Sequence, residues 1–434
     1  MKPNPPTNRP PTNTPHRRDW LAESIQLAAA TGTALGAASV LGLPTTKAAA
    51  PSEVIRLGVL GSGGRARHLM RSLVKVPGLK IVALADVRDD SIATTKEHLE
   101  TIAPGSTRDL FITRDFREIL DKKDVDAVLI GAADHWHAPM TIAACKAGKD
   151  VYVEKPLTHD PAEAKALLEA GAASKSIVQV GMQQRSMPHI LRAGELIREG
   201  RIGKVHKVHL SWNRNQPRFT KDIPKIPLSA VDWKGFLGTA PGQEYDPYKM
   251  VHWRWFWDFG GGIFTDLMVH WIDVAHGLLG LTEPQSAASQ GNFVKAEGIW
   301  ETPDSVQTLL AYPGGVTAHF EGTFSNARFG AMITFMGTEG SIYCDRGAMQ
   351  VIPDPGKTIK AEELILGKGR RGADFYDQPD GEFIHILDWI KAVRERKQPS
   401  APLQAGVDAA FAAHLANRSL RENRIVTHNA RKSG

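Results

Sequence analysis

The sequence predicts an α/β protein with two parts, an N-terminal doubly wound parallel sheet and a C-terminal α+β domain whose sheet is mostly antiparallel. Three observations predict this fold class. Short apolar strands alternate with helices between residues 54 and 180, which is typical of a parallel sheet. A glycine-rich turn joins the first strand to the first helix. After residue 181, strands follow one another across short turns. We therefore divide the chain into residues 1–50, 51–180 and 181–434.

Composition and charge exclude several classes of protein. The 434 residues are 42% apolar and 23% charged, as in an ordinary globular protein. Half of the net charge of +6 lies in residues 1–50, and the rest of the chain has no Lys/Arg run interleaved with aromatic residues. We therefore expect no nucleic-acid partner. The two cysteines are too few for a disulfide framework or a four-cysteine zinc site.

Residues 1–50 have the pattern of an export signal. A Pro/Asn/Thr-rich start precedes Arg17-Arg18, and an uncharged stretch from Ser24 to Thr46 leads to small residues at 48–50. Adjacent arginines before a weakly apolar segment predict a twin-arginine signal peptide, with the export machinery as partner and a periplasmic location. The alternative is a frayed basic N-terminus on a cytosolic protein.

The first strand (Val54–Leu60) runs into a glycine motif and then into the helical run Arg67–Val76. The motif is G-x-G-x-x-A, and its residues are Gly61, Ser62, Gly63, Gly64, Arg65 and Ala66. The first glycine allows a tight turn, and the second lets the backbone approach a pyrophosphate at the helix N-terminus. This arrangement predicts a dinucleotide site.

A second strand (Lys80–Ala85) ends at Asp86, twenty residues beyond Ala66. A carboxylate there can accept hydrogen bonds from the adenosine ribose hydroxyls, which favours NAD. Arg88 could instead meet a 2′-phosphate, so NADP stays open as the alternative.

The alternation continues to residue 180. It comprises the strand Val125–Ile130, the helix Pro139–Ala147, the strand Asp150–Val153, the helix Pro161–Ser174 and the strand Ile177–Val180. Ligands of such sheets bind at the carboxyl ends of the strands. Two segments occupy strand ends, a loop from Gly131 to His137 and the tripeptide Glu154-Lys155-Pro156.

Residues 181–434 predict a second domain. The expected elements are the helices Pro188–Gly200, Phe383–Arg396 and Ala405–Arg421, and the strands Val205–Trp212, Val306–Tyr312, Val316–Phe324, Ala331–Phe335 and Ser341–Cys344. The segment Asp232–Gly238 is expected to be a loop. Between these elements, Gly260-Gly261-Gly262 precedes a helical run in which Asp266, His270 and Asp273 share one face.

His270 suits a general base near neutral pH, and Asp266 could fix its tautomer. A metal site formed by Asp266, His270, Asp273 and His276 is an alternative, but it lacks a convincing third ligand, so we expect no metal. Just upstream lie His252, Arg254 and Trp255, beside two further tryptophans. We expect this cluster to form aromatic walls for a sugar ring, although the tryptophans could equally cap the sheet.

The glycine motif, the Asp-His-Trp-His segment from Asp134, "AGKDVYVEKPLTHD" and "GGGIFTDLMVHWID" together resemble the Gfo/Idh/MocA oxidoreductase family over about residues 54 to 425. One departure is Ala133, where the family pattern has a proline. The resemblance implies that Lys155, Asp266 and His270 are catalytic. The residues expected to bind the cofactor are Gly61, Gly63, Gly64, Arg65, Ala66, Asp86, Asp134, His137, Glu154 and Lys155. Those expected to bind substrate are Arg185, His252, Arg254, Trp255, Asp266 and His270.

These observations predict an NAD(P)-dependent oxidoreductase that acts on a sugar or polyol as a homo-oligomer. His270 would take the hydroxyl proton while hydride passes to the nicotinamide, and Lys155 would stabilise the alkoxide. Because an exported protein has no free nucleotide pool, we expect a tightly bound, recycled cofactor. Two alternatives stay open, an NAD-dependent glycosidase of the α-N-acetylgalactosaminidase type and a non-enzymatic sugar-binding protein.

Overall fold

The computed structural model describes residues 54–215, 220–366 and 380–428. The predicted signal peptide therefore lies outside the described residues. Within those residues, no helix combines the length and the apolar character needed to cross a membrane.

The first part of the chain forms a six-stranded parallel sheet in the order β3-β2-β1-β4-β5-β6. Its strands are β1 (Ile55–Leu60), β2 (Leu79–Ala85), β3 (Phe111–Thr113), β4 (Ala127–Ile130), β5 (Asp150–Val153) and β6 (Val178–Val180). The connecting helices are α1 (Gly64–Leu73), α2 (Asp89–Ile102), α3 (Phe116–Leu120), α4 (Asp134–Lys146) and α5 (Glu163–Ala173). Strand order reverses beside β1, which places a crevice at the carboxyl ends of β1 and β4. The predicted doubly wound sheet is confirmed.

The second part forms a nine-stranded sheet in which only β7 and β10 pair in parallel among the described strands. Its strands are β7 (Lys207–Asn213), β8 (Ser286–Asn292), β9 (Ser305–Ala311), β10 (Thr317–Thr323), β11 (Ala331–Met336), β12 (Gly340–Asp345), β13 (Ala348–Pro353), β14 (Glu362–Ile365) and β15 (Val426–Thr427). Buried and less buried residues alternate along β9 and β10, so one face of the sheet lies on the core. The mostly antiparallel sheet is confirmed.

The second part of the chain also contains α-helices. They are α6 (Pro188–Arg198), α7 (Trp233–Leu237), α8 (Pro247–Val251), α9 (Val269–Leu279), α10 (Gly381–Glu395) and α11 (Leu403–Glu422). A π-helical turn, Phe264–Met268, leads into α9. Helices α9 and α11 contact each other, and α11 lies against β8.

Two local expectations were wrong. Helix α4 begins at Asp134 rather than at Pro139, so the segment from Asp134 to His137 is its first turn and not a loop. Pro139 predicted a helix start because proline favours the first turn of a helix. The buried rings of His135 and His137 contact carbonyl oxygens far away in the sequence, and these tertiary contacts outweigh that local preference. The segment Asp232–Gly238 contains α7, because the Asp232 carboxylate accepts a hydrogen bond from the Gly235 N–H and caps a helix.

Candidate active site

The glycine turn is shaped to hold a dinucleotide. Gly61 has φ +83°, and a Cβ there would lie 2.6 Å from the Ala132 backbone, so the turn and β4 can approach only at a glycine. Helix α1 begins directly after Gly63, and within the described residues no side chain caps its first N–H groups. A Cβ at Gly63 would meet nothing within 4 Å. Open space before uncapped amides is what a pyrophosphate requires, so these residues fit the cofactor.

A cavity of about 300 Å³ extends from this turn. Asp86 and Arg88 line one end, and Trp136, Phe236, Trp253 and Arg254 are among the residues that line the rest. The Asp86 carboxylate accepts hydrogen bonds from Ser62 N at 2.6 Å and from Arg88 N at 3.0 Å. A hydrogen bond therefore links the glycine turn directly to Asp86, the residue predicted to bind the ribose.

The chain brings Lys155 and Asp266 together although 111 residues separate them. Lys155 follows β5, and its Nζ donates to the main-chain oxygen of Asp266 at 2.7 Å and to Oδ1 at 3.2 Å. Arg254 Nε lies 3.3 Å from the same Oδ1. Because Arg254 also lines the cavity, it connects the cavity to the Lys155–Asp266 pair.

His270 lies against the ring of Trp212, with the ring centroids 5.1 Å apart. Its Nδ1 is buried and has no hydrogen-bond partner among the described residues. Burial and the charge of Lys155 hold the pKa of His270 well below its ordinary value. The imidazole is therefore neutral near pH 7 and able to accept a proton.

The carboxyl groups of Asp134 and Glu154 also lie near Lys155, and their environments differ. Burial raises the pKa of Asp134 to about 8, against the opposing charges of Arg254 and Lys155. Burial also acts to raise the pKa of Glu154, but the charges of Arg65 and Lys155 outweigh it and the pKa lies below its ordinary value. Arg65 Nε donates to Glu154 Oε1 at 2.8 Å, and its Nη1 donates to Glu382 Oε2 at 2.5 Å.

Other predicted site residues hold parts of the fold in place. His137 is 1% exposed, and its Nδ1 lies 2.7 Å from the Pro156 oxygen, so it positions the segment that carries Lys155. Trp255 is 3% exposed and stacks on Trp300 with centroids 4.2 Å apart. The ring of His252 lies 4.4 Å from that of Tyr248.

Asp273 and Asp266 have different partners in the structure. Asp273 pairs with Arg185, whose guanidinium also donates to the Ser400 oxygen. His276 lies 2.9 Å from the Tyr312 hydroxyl. The π-helical turn at residues 264–268 breaks the regular spacing that the prediction assumed. Among the described residues, no group of three or more His, Cys, Asp or Glu side chains could hold a metal ion.

Sequence reasoning missed three contributors to the site. The Trp212 ring packs against the His270 ring, and the Arg346 guanidinium lies 5.7 Å from the Trp212 ring. Glu382 accepts a hydrogen bond from Arg65. They come from β7, from the turn after β12 and from α10. No local motif marks them, because their roles depend on contacts across the second sheet and between the two parts of the fold.

Comparison with known proteins gives two matching family profiles. The GFO_IDH_MocA profile, described as an oxidoreductase family with an NAD-binding Rossmann fold, matches residues 55–182. The GFO/IDH/MocA C-terminal domain profile matches residues 238–343. Together they span more than half of the chain and include Lys155, Asp266 and His270.

Similar proteins span nearly the same length. The myo-inositol 2-dehydrogenase of Thermotoga maritima is 23% identical over 386 residues, which is 86% of this chain and 98% of that protein. The scyllo-inositol 2-dehydrogenase (NAD(+)) of Bacillus subtilis is 29% identical over 299 residues, 67% of this chain and 73% of that protein. A solved levoglucosan dehydrogenase, in complex with NADH and levoglucosan, has a TM-score of 0.67 at 20% identity and covers 87% of this chain and 100% of its own. With both family profiles matched, the chain belongs to the Gfo/Idh/MocA oxidoreductase family, whose N-terminal domain has an NAD-binding Rossmann fold.

Proposed function

We propose that this protein is an NAD-dependent oxidoreductase that oxidises a hydroxyl group of a sugar or polyol. The observation that carries this proposal is the contact between Lys155, at a strand end of the NAD-binding domain, and Asp266, in the second domain. The names of the relatives, inositol and levoglucosan dehydrogenases, support the substrate class.

The nicotinamide, when bound, supplies the hydride acceptor for the carbinol carbon. Lys155 places a positive charge where negative charge develops on the substrate oxygen. Asp266 holds the Lys155 ammonium in place through two oxygens. His270 is neutral and takes the hydroxyl proton, while Arg254 orients the substrate from the cavity wall.

The test is product analysis with a panel of inositols, aldoses and anhydrosugars and their aryl glycosides. We expect a keto or lactone product, formed in an amount equal to that of the reduced nucleotide. Release of the aryl group with no net change in nucleotide redox state would instead identify a glycosidase. Binding of sugars without turnover of any of them would identify a binding protein.

We further propose that the protein is exported by the twin-arginine route and works in the periplasm with a retained nucleotide. Arg17-Arg18 and the weakly apolar segment after them support export. Replacing both arginines with lysine should leave the protein in the cytoplasm, and the exported form should keep its nucleotide through desalting. Unchanged fractionation of the variant would contradict the export route, and a nucleotide-free exported protein would contradict retention. Assembly into a homo-oligomer also stays a prediction, which sedimentation velocity would check.

A further inference from the structure

At the adenosine end of the cavity, the backbone and the side chain of Arg88 bind two different carboxylates. Its N–H donates to Asp86 Oδ1 at 3.0 Å. Its guanidinium turns to Asp90, with Nε 3.0 Å from Oδ1 and Nη2 2.5 Å from Oδ2. The Arg88 side chain therefore makes a bidentate ion pair at the first turn of α2.

This ion pair occupies the Arg88 guanidinium, which is the group that the 2′-phosphate of NADP would need. Asp86 lies at the end of β2, where a carboxylate meets the adenosine ribose, and a 2′-phosphate in that place requires a nearby arginine. Arg88 is two residues away and lines the cavity. A guanidinium fork that is already engaged with one carboxylate cannot offer the same two N–H groups to a phosphate.

We propose that Asp90 is a specificity residue, which disfavours a 2′-phosphorylated nucleotide by engaging the Arg88 guanidinium. This inference rests on the proposed NAD site. Unlike Asp86, which is expected to contact the ribose, Asp90 acts through the Arg88 side chain. The hydrogen bonds from Arg88 also lower the pKa of the Asp90 carboxyl, so the pair is charged at neutral pH.

The size of the effect follows from the exposure of the pair. The side chains of Arg88 and Asp90 are 23% and 50% exposed. Ion pairs this accessible to water are weak, so releasing Arg88 should change phosphate binding by about three- to tenfold rather than by orders of magnitude.

Asp89 offers a matched control. It is the neighbouring residue, carries the same charge and pairs with Arg114, which also lines the cavity. Asp89→Asn removes one negative charge from the same helix turn and leaves the Arg88–Asp90 pair intact. Because it also releases Arg114, the control is made in an Arg114→Ala background and compared with Arg114→Ala alone. A general electrostatic effect would make the two substitutions equivalent.

The experiment measures binding of 5′-AMP and of adenosine 2′,5′-bisphosphate by titration calorimetry, with the full chain freed of any retained nucleotide by denaturation and refolding. Asp90→Asn should strengthen bisphosphate binding about three- to tenfold and leave 5′-AMP binding within about twofold. In the Arg114→Ala background, Asp89→Asn should change neither, and Arg88→Ala added to Asp90→Asn should abolish the gain. An equal gain in Asp89→Asn, a gain that survives loss of Arg88, or no gain would overturn the proposal. Failure of the unaltered protein to bind 5′-AMP would instead refute the nucleotide site itself.

Discussion

The ammonium group of Lys155 donates to both the main-chain and the side-chain oxygen of Asp266, at 2.7 and 3.2 Å. Both side chains are close to 10% exposed. This contact joins the strand end after β5 to the π-helical turn before α9, and so it closes the site between the two sheets. A buried charged pair at a cofactor crevice, beside the unpartnered His270 Nδ1, is an arrangement suited to proton transfer.

Removal of Arg65 should destabilise the protein strongly. Arg65→Ala leaves Glu154 and Glu382 buried without their shared partner, which should lower the free energy of unfolding by about 3 kcal/mol in urea denaturation. Arg56→Ala is the control, because its pair with Asp126 is about 40% exposed on both sides and should cost much less. Equal losses in the two variants would contradict this account of Arg65.

Stability should fall as the pH drops from 6.5 towards 4. Burial lowers the pKa of several histidines to about 4 or below, so the unfolded chain binds protons that the native state excludes. Each such group contributes a slope of about 1.4 kcal/mol per pH unit in that window. Carboxyl groups with raised pKa values act in the opposite direction, but among the described residues there are five of them against ten histidines with lowered pKa values. The histidines lowered to about 4 or below are His135, His137, His276, His385 and His414.

Urea titrations between pH 7 and 5 check this slope. His414→Gln should reduce it by about one proton, because His414 is buried and bonded to Thr158. His206→Gln is the control, since His206 is exposed and its replacement should leave the slope unchanged. Stability that is flat or rises on acidification would show that the buried histidines do not govern it.

Asp86 should set the preference for NAD over NADP. Asp86→Ala removes the carboxylate that faces the ribose end of the cavity, and it should narrow the ratio of the two dissociation constants by about tenfold. Glu97→Ala provides a control of equal charge on the exposed face of α2, away from the cavity lining, and should leave the ratio unchanged. Tighter binding of NADP than of NAD by the unaltered protein would mean that Arg88 dominates.

The sequence predicted five of the six strands of the first sheet, and the nucleotide motif could be found because the glycine turn, the strand before it and Asp86 lie close together in the chain. The short strand β3 was not predicted. Motifs also marked Lys155, Asp266 and His270 as candidate site residues, and the structure brings Lys155 and Asp266 into contact. The sequence could not identify Trp212 or Arg346. Trp212 lies on β7 and contacts His270, and Arg346 follows β12 and contacts Trp212. These contacts exist only because β7 and β12 both pair with β11 in the folded sheet. The start of α4 and the separate partner of Asp273 were missed for the same reason: distant contacts override local spacing.

The strands after residue 281 show a second limit. Strands β8, β13, β14 and β15 were not predicted, and they lie towards the edges of the sheet. Apolar alternation is weak in β8 and β14. Strand β8, with the sequence SAASQGN, contains no large apolar residue. The side chains of β8 do not predict a strand, and the segment is extended because it pairs with β9.

The most direct test of the central claim is the single-turnover rate of nucleotide reduction with a verified sugar or polyol, measured for Lys155→Ala and His270→Ala. Lys165→Ala, on the exposed face of α5, serves as the control. Each site variant should bind NAD almost normally but reduce it about 10²- to 10⁴-fold more slowly than the control. Near-normal reduction by both site variants would contradict the assignment of the chemistry to Lys155 and His270.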